Sequence, residues 1–249
     1  MTFYPLKYLF FIAMISIRYL VVAGLFFYFT QKLWAQRTRT AMVNSKPQFK
    51  GQLNHELKFS MVTVLIFALG GLNFIFAKES HWGLIYTDIG EWGMGYFIFS
   101  IFLMLILHDW YFYWTHRWLH RKENFGRFHS VHHRSKVTTP FTSQSFHWVE
   151  SFINMGPSLI FPFIFPLHPT AYIIFTIVAF AYNVYGHGNY DFLPKRWRNH
   201  ALFRWINSPS NHGYHHDQIN GNYGFYTTIW DRAHGTYVNA DVSADDFRR

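Results

Sequence analysis

Three long apolar stretches constrain this chain more than any other feature. They cover residues 8–30, 57–77 and 94–115. Each has roughly the 20 residues that a helix needs to cross a bilayer. Inside a bilayer only helices and closed barrels satisfy every backbone polar group. The third stretch runs straight into HDWYFYWTHRWLHRKENFGRFHSVHH, residues 108–133. This segment carries His116 and His120, a polar turn with Arg121, Lys122, Glu123 and Gly126, then His129, His132 and His133. A second HxxHH stands far downstream at His212, His215 and His216.

Composition narrows what those histidines can be for. The 249 residues suit one large domain. Only 14% are charged, against about a quarter in soluble domains. There is no cysteine, which excludes disulfides, thiolate-bound zinc, iron–sulfur clusters and a cysteine nucleophile. Any metal must be held by His, Asp or Glu. The net charge is +9, but the basic residues sit in polar loops between apolar segments rather than in one stripe. No nucleic-acid partner is expected.

Loop 31–56 carries Lys32, Arg37, Arg39, Lys46 and Lys50. Loop 78–93 is mildly acidic, and the region after residue 116 is basic again, with Arg117, Arg121, Lys122, Arg127, Arg134 and Lys136. The positive-inside rule puts both basic regions in the cytoplasm and loop 78–93 outside. The N-terminus is then outside, and all the clustered histidines share one side. Residues 151–186 are apolar but broken by Pro157, Pro162, Pro166 and Pro169. Each half falls short of a full span, so they predict a helical hairpin turning near Pro166–Pro169, entering and returning on the same side; two ordinary spans joined outside by a very tight turn are the alternative and give the same sidedness. Arg18, inside the first stretch, reads as a snorkelling side chain; an ion pair or headgroup contact is the functional alternative. A signal peptide is disfavoured, because the stretch is long and no small-residue cleavage site follows.

Residues three or four apart share a helix face. His116 and His120 are therefore neighbours, as are the members of each HxxHH. Such clusters make a multi-histidine cage, and a packed core has no need of repeated imidazoles. Neutral imidazole suits iron, copper, zinc and nickel, and eight or more ligands are about right for two metals. Asp109 lies seven residues before His116 on the same face, placed to orient its ring from behind. Arg117, Trp118 and Leu119 separate His116 from His120, so the Glu of HExxH is missing and a metalloprotease loses its general base.

These residues resemble the membrane fatty acid hydroxylase / sterol desaturase superfamily. The matching text is DWYFYWTHRWLH (109–120), FHSVHH (128–133), SFHWVES (145–151), HGNYDF (187–192), NHGYHH (211–216), GNYG (221–224) and WDRAHGT (230–236). The resemblance covers roughly residues 94–237. It implies a non-haem di-iron site held by His116, His120, His129, His132, His133, His187, His212, His215 and His216. Two iron ions are the implied cofactor, with zinc as a substitute in purified material. Some relatives carry a histidine four residues after the His187 position; this chain has Asp191, read as a partner behind the ligands or a helix cap. His147 and Glu150 are candidates for the same supporting role. His234 stands where an apolar aromatic is common and is not assigned to the metals. His108, His55, His81, His168 and His200 read as structural, Asp231–Arg232 as an ion pair, and Asn222 and Tyr223 as a turn.

The expected fold class is all-α: an integral membrane helical bundle with a cytoplasmic helical cap carrying the histidine-rich di-metal site. Residues 1–93 would supply N-terminal transmembrane helices and loops, and residues 94–249 the fatty acid hydroxylase-like catalytic domain. The resemblance implies an oxidoreductase that uses O2 and two electrons on a lipid C–H bond. Returning a hydroxyl to the carbon gives an alcohol, and removing a second hydrogen gives a double bond. Hydroxylation is the leading expectation and desaturation the alternative. The electrons need a separate carrier protein, because the chain has no dinucleotide or haem motif of its own. A metal transporter is the remote reading, disfavoured because these histidines follow the spans instead of lying at their midpoints.

Overall fold

The computed structural model describes residues 4–33, 41–198 and 200–240. Arg37 and Arg39 of the basic loop, and residues 241–249 of the expected catalytic unit, lie outside the described residues. Regular structure is helical. Among the described residues β-pairing is confined to isolated bridges such as Ile85 with Leu167. The helices are α1 (Tyr4–Tyr28), α2 (Gln52–Glu79), α3 (Gly93–Leu119), α4 (Ser130–His133), α5 (Trp148–Asn154), α6 (Gly156–Ile164), α7 (Pro169–His187), α8 (Pro209–Gln218) and α9 (Ile229–Ala233). One π-helical turn, Phe29–Leu33, extends α1.

Among the described residues four helices are long and apolar enough to cross a membrane: Tyr4–Leu33, Gln52–Glu79, Gly93–Leu119 and Pro169–His187. The first three contain the three apolar stretches and run a few residues beyond them. Their outer faces stay apolar, with Leu6, Leu9, Ile17, Phe102 and Ile106 all exposed. A helix that is apolar on every side needs a bundle interior or a lipid surround.

The proline-broken segment turns back as expected, but its second half, Pro169–His187, is long and apolar enough to cross, which favours two spans joined by a tight turn over a short re-entrant hairpin. Helices α5 and α6 run away from the histidines, the chain turns at 165–168, and α7 returns. Proline stands in the first turn of both α6 and α7, where its missing N–H leaves no helical bond unmade. His168 caps α7, its Nδ1 accepting from the Thr170 N–H at 3.1 Å. The turn is tied to the α2–α3 loop by Leu84 N–H donating to Pro162 O and Leu167 N–H donating to Leu84 O, each 2.8 Å. The hairpin therefore reaches the end of the bundle opposite the histidines.

Helices α1 and α2 are antiparallel. Lys7 Nζ meets Glu79 Oε1 at 2.8 Å near one end, and Tyr19 Oη donates to Ser60 Oγ at 2.9 Å midway. Their close approach needs Gly71, where a Cβ would lie 2.6 Å from the Phe11 ring. Phe97, Met104, Phe161, Leu167 and Phe175 form the core between α3, α6 and α7.

One buried carboxylate fastens the cap to the bundle. Glu56, fully buried on α2, accepts from Gln52 Nε2 at 2.8 Å, Ser135 Oγ at 2.7 Å, Thr139 Oγ1 at 2.6 Å and Thr142 Oγ1 at 2.7 Å. Three of those donors lie in the loop that follows His133. His55, one residue earlier, meets the Val131 carbonyl through Nε2 at 3.0 Å. Glu56→Gln would turn one acceptor into a donor facing hydroxyl donors. It is expected to lower stability by about 2–3 kcal/mol, read as a lower melting midpoint of the purified protein.

Candidate metal centre

Nine buried or half-buried imidazoles converge where α3, α4, α7 and α8 meet. They fall into two groups, His116–His120–His129–His133–His215 and His132–His187–His212–His216. Within each group one nitrogen per ring lies within 4.8 Å of all the others. These are the nine residues that the sequence motifs single out. The division between groups follows from helix geometry. His116 and His120 are four apart at the end of α3 and face one group. Each HxxHH is split: His129 and His133 join the first group and His132 the second, whereas His212 and His216 join the second and His215 the first. Both repeats therefore contribute to both groups. A π-helical turn at Phe125–His129 leads into α4 and sets the rotation at which His129 enters.

Backbone carbonyls fix the rings. Nδ1 of His116 lies 2.9 Å from Tyr223 O, that of His132 3.3 Å from Ser145 O, and that of His187 2.8 Å from Asn183 O. Nδ1 of His215 lies 2.7 Å from Gly221 O, and that of His216 3.1 Å from Ser135 O. A carbonyl only accepts, so each of these Nδ1 atoms carries the proton and each Nε2 is left with a lone pair. His132 and His187 then turn two lone pairs toward each other at 3.2 Å. Neither can donate. The Nε2 atoms of His215 and His216, and both nitrogens of His120 and His133, are buried without a hydrogen-bond partner. Buried polar atoms are ordinarily satisfied, and a cation shared among the lone pairs satisfies these. Burial, reinforced by neighbouring imidazoles, holds His129, His132, His133, His212 and His216 well below the usual histidine range; His120 shifts the same way. Burial, with His116 and His187 adding to it, holds His215 well below that range too. The neutral ring is the form that binds a metal. The donor set thus fits two metal ions, with imidazole nitrogens as the ligands.

Glu150 supports the first group. Its Oε1 lies 2.8 Å from His129 Nδ1, with both side chains buried, and burial pushes its carboxyl well above the usual range. A carboxyl group behind a ligating imidazole sets ring orientation and basicity.

The other three supporting candidates do different work. Asp109 does not reach His116, whose Nδ1 is taken by Tyr223 O. Its Oδ1 accepts from Tyr226 N at 2.7 Å, and its Oδ2 from Thr227 Oγ1 at 2.6 Å and Trp230 Nε1 at 3.1 Å. It pins the segment before α9 to α3. His147 caps α5 by accepting from the Val149 N–H at 3.3 Å. Asp191 pairs with Arg198 at 2.6 Å and accepts from Ser210 N, 3.3 Å away, in the first turn of α8. It stands outside both groups and acts as a cap.

Asp231 and Arg232 form no ion pair with each other. Asp231 accepts from Tyr223 N and Gly224 N, each 2.8 Å, and so aims the Tyr223 carbonyl at His116. Arg232 instead stacks 3.7 Å over the Tyr237 ring. Asn222 takes a positive φ of 55° and shapes the turn, donating to Val238 O at 2.9 Å. His234 sits outside both groups, stacked on Tyr113. Sequence reading missed Glu56, whose only signal is a lone acid beside an apolar span. It also missed the aligning carbonyls, which no side-chain pattern reveals.

A cavity of about 460 Å3 opens beside the centre. Its inner wall includes Phe112, whose ring is 4.9 Å from that of His116, and Phe146, 4.8 Å from His132. Asn183 and Phe225 line both this cavity and a void of about 10 Å3 against His187 and His212. Most of the wall is aromatic or aliphatic, as in sites for apolar ligands.

The fatty acid hydroxylase family model matches residues 101–236. The chain is similar to human lathosterol oxidase, 33% identical over 196 residues, covering 78% of this chain and 64% of the relative. It is similar to the Delta(7)-sterol 5(6)-desaturase of Candida albicans, 32% identical over 203 residues, covering 80% of this chain and 50% of the relative. The Schizosaccharomyces pombe Delta(7)-sterol 5(6)-desaturase is 30% identical over 221 residues, covering 88% and 71%. The chain thus spans less than two thirds of the length of two of these three relatives. No solved structure matches.

Removing the carboxyl behind His129 tests the ligand arrangement. Glu150→Ala is expected to weaken metal binding roughly 10- to 100-fold, measured by chelator competition, while leaving helical content unchanged by circular dichroism.

Proposed function

The chain belongs to the fatty acid hydroxylase family, and we propose that it is a membrane oxidoreductase that desaturates a sterol-like lipid with O2. The observation that carries this reading is the pair of imidazole groups set against an apolar cavity at the end of the spans. Imidazole-only ligation suits iron, and a pair of irons in this cage would supply O2 reduction and hydrogen abstraction from an unactivated C–H bond. The nine histidines would hold the metals. Phe112, Phe146 and Phe225 would keep water from the reacting carbon and hold the hydrocarbon beside the centre. Tyr223, Ser145, Asn183, Gly221 and Ser135 would keep the rings in register through their carbonyls.

The balance for desaturation is one CH–CH unit, O2, two electrons and two protons giving C=C and two water molecules. Hydroxylation uses the same inputs and gives an alcohol and one water. The hydroxylase expectation yields to desaturation because the named relatives are sterol desaturases and a lathosterol oxidase. Hydroxylation stays as the second reading on the same site.

The electrons would come from a separate carrier protein. Arg121, Lys122, Arg127, Arg134 and Lys136 are exposed around the histidine end, a face suited to an acidic carrier. The same charges support placing the centre on the cytoplasmic side. Residues 1–93 and 94–249 would act as one integrated unit, because Gln52, His55 and Glu56 of the first bond directly to the second.

Sterol mass spectrometry of aerobic cells supplied with a Delta(7)-sterol tests this. The wild type is expected to yield a product two hydrogens lighter, and His132→Ala at most a hundredth as much. A product heavier by one oxygen would move the assignment to hydroxylase.

A further inference from the structure

Arg18 stands in the middle of the Tyr4–Leu33 span. It does not snorkel. Its guanidinium turns inward, 4.7 Å over the Phe180 ring, and lines the apolar cavity beside the histidines. Its Nε is buried with no hydrogen-bond partner. No carboxylate of the described residues pairs with it, although Lys7, Lys46 and Arg198 each have one. A permanently charged group at mid-span is costly and marks a function. Tyr172, its polar neighbour on the same cavity wall, can take one of its donors, and the others are left for whatever fills the cavity.

The cavity also says what kind of partner. Gln144 lines it as well, and its Oε1 is buried without a partner. Arg18 has only donors to offer, and Gln144 offers an acceptor. A hydroxyl uses both, because its oxygen accepts and its hydrogen donates. A carboxylate uses only the first. The position of Phe180 adds a distance. It precedes His187 by seven residues on α7, about 10 Å along the axis. An oxygen held over Phe180 therefore lies about two helical turns from His187, which puts the lipid's polar group and its reacting bond in the same half of the cavity. The tail then runs toward Phe10, Met14 and Ile173, which line the cavity and are exposed on the outer surface of the bundle.

We propose that Arg18 anchors the substrate by donating to a lipid hydroxyl, so that hydroxy-lipids enter head-first with the hydroxyl close to the metal centre. This rests on the cavity being the lipid site and deepens the desaturase reading. Arg18 is a positioning residue and takes no part in the chemistry.

The test is equilibrium binding of four lipids to the purified, metal-loaded full chain in detergent, followed by native mass spectrometry. The lipids are 7-cholesten-3β-ol, its 3-deoxy analogue, stearic acid and methyl stearate. Wild type is expected to bind the sterol at least tenfold tighter than its deoxy analogue. Arg18→Met is expected to lose that preference and bind the two alike, with bound metal unchanged. Arg18→Lys, which keeps a charged donor, is expected to recover part of it.

A preference that survives in Arg18→Met overturns the anchor. So does a wild type that binds the sterol and its deoxy analogue equally. If the wild type distinguishes only stearic acid from its ester, the hydroxyl assignment fails. Binding is scored without turnover, so the two readings fail separately. An intact Arg18-dependent preference in a protein that forms no double bond would overturn the desaturase reading alone.

Discussion

Lone pairs that face one another organise this protein. Five backbone carbonyls take the Nδ1 protons of His116, His132, His187, His215 and His216. That leaves their Nε2 atoms as acceptors inside the cage. Two acceptors 3.2 Å apart, as at His132 and His187, repel unless a cation lies between them. The arrangement is held against that repulsion by contacts outside the cage: Glu56 and the loop after His133, Asp231 and the Tyr223 turn, and Asp191 at the start of α8. These buried carboxyl groups therefore hold the segments around the cage, and among the described residues Glu150 is the carboxyl group that meets a ring of the two groups directly.

The membrane bundle matters to the centre for two physical reasons. Helices α3 and α7 deliver His116, His120 and His187 from rigid rods, so their relative positions are fixed by packing over the whole span. The same rods enclose an apolar cavity beside the imidazoles, with Phe112 and Phe146 standing between the two. In the proposed function, a lipid in this cavity would reach the imidazole groups through mostly apolar surroundings. Arg18 is the exception that gives this cavity an orientation.

The legible part of the site was legible because it is written in side chains at fixed spacings. HxxxH and HxxHH put imidazoles on shared helix faces, and all nine came together as read. Glu150 was one of four supporting candidates that the sequence offered on nearly equal terms. Asp109 has the right helical phase to back His116, yet the Tyr223 carbonyl occupies that place. Phase along one helix says nothing about what another segment inserts behind it. Arg18 failed for a related reason: snorkelling is the default of an isolated helix, and only the packing of α1 against α7 shows that an inward-facing cavity is available.

By itself, the sequence determined that the chain is helical, that its long apolar stretches form helices long enough to span, that its proline-broken segment turns back, and which nine histidines gather into the two groups. These follow from hydrophobic length, from proline chemistry and from helical periodicity, all of which act locally along the chain. Only the tertiary structure decided how each HxxHH divides between two groups, which carboxyl group backs an imidazole and which cap helices, and that a mid-span arginine faces a cavity. Those depend on contacts between residues tens of positions apart, such as Glu56 with Thr142 or His187 with His132. They are set by packing energy that no local pattern encodes.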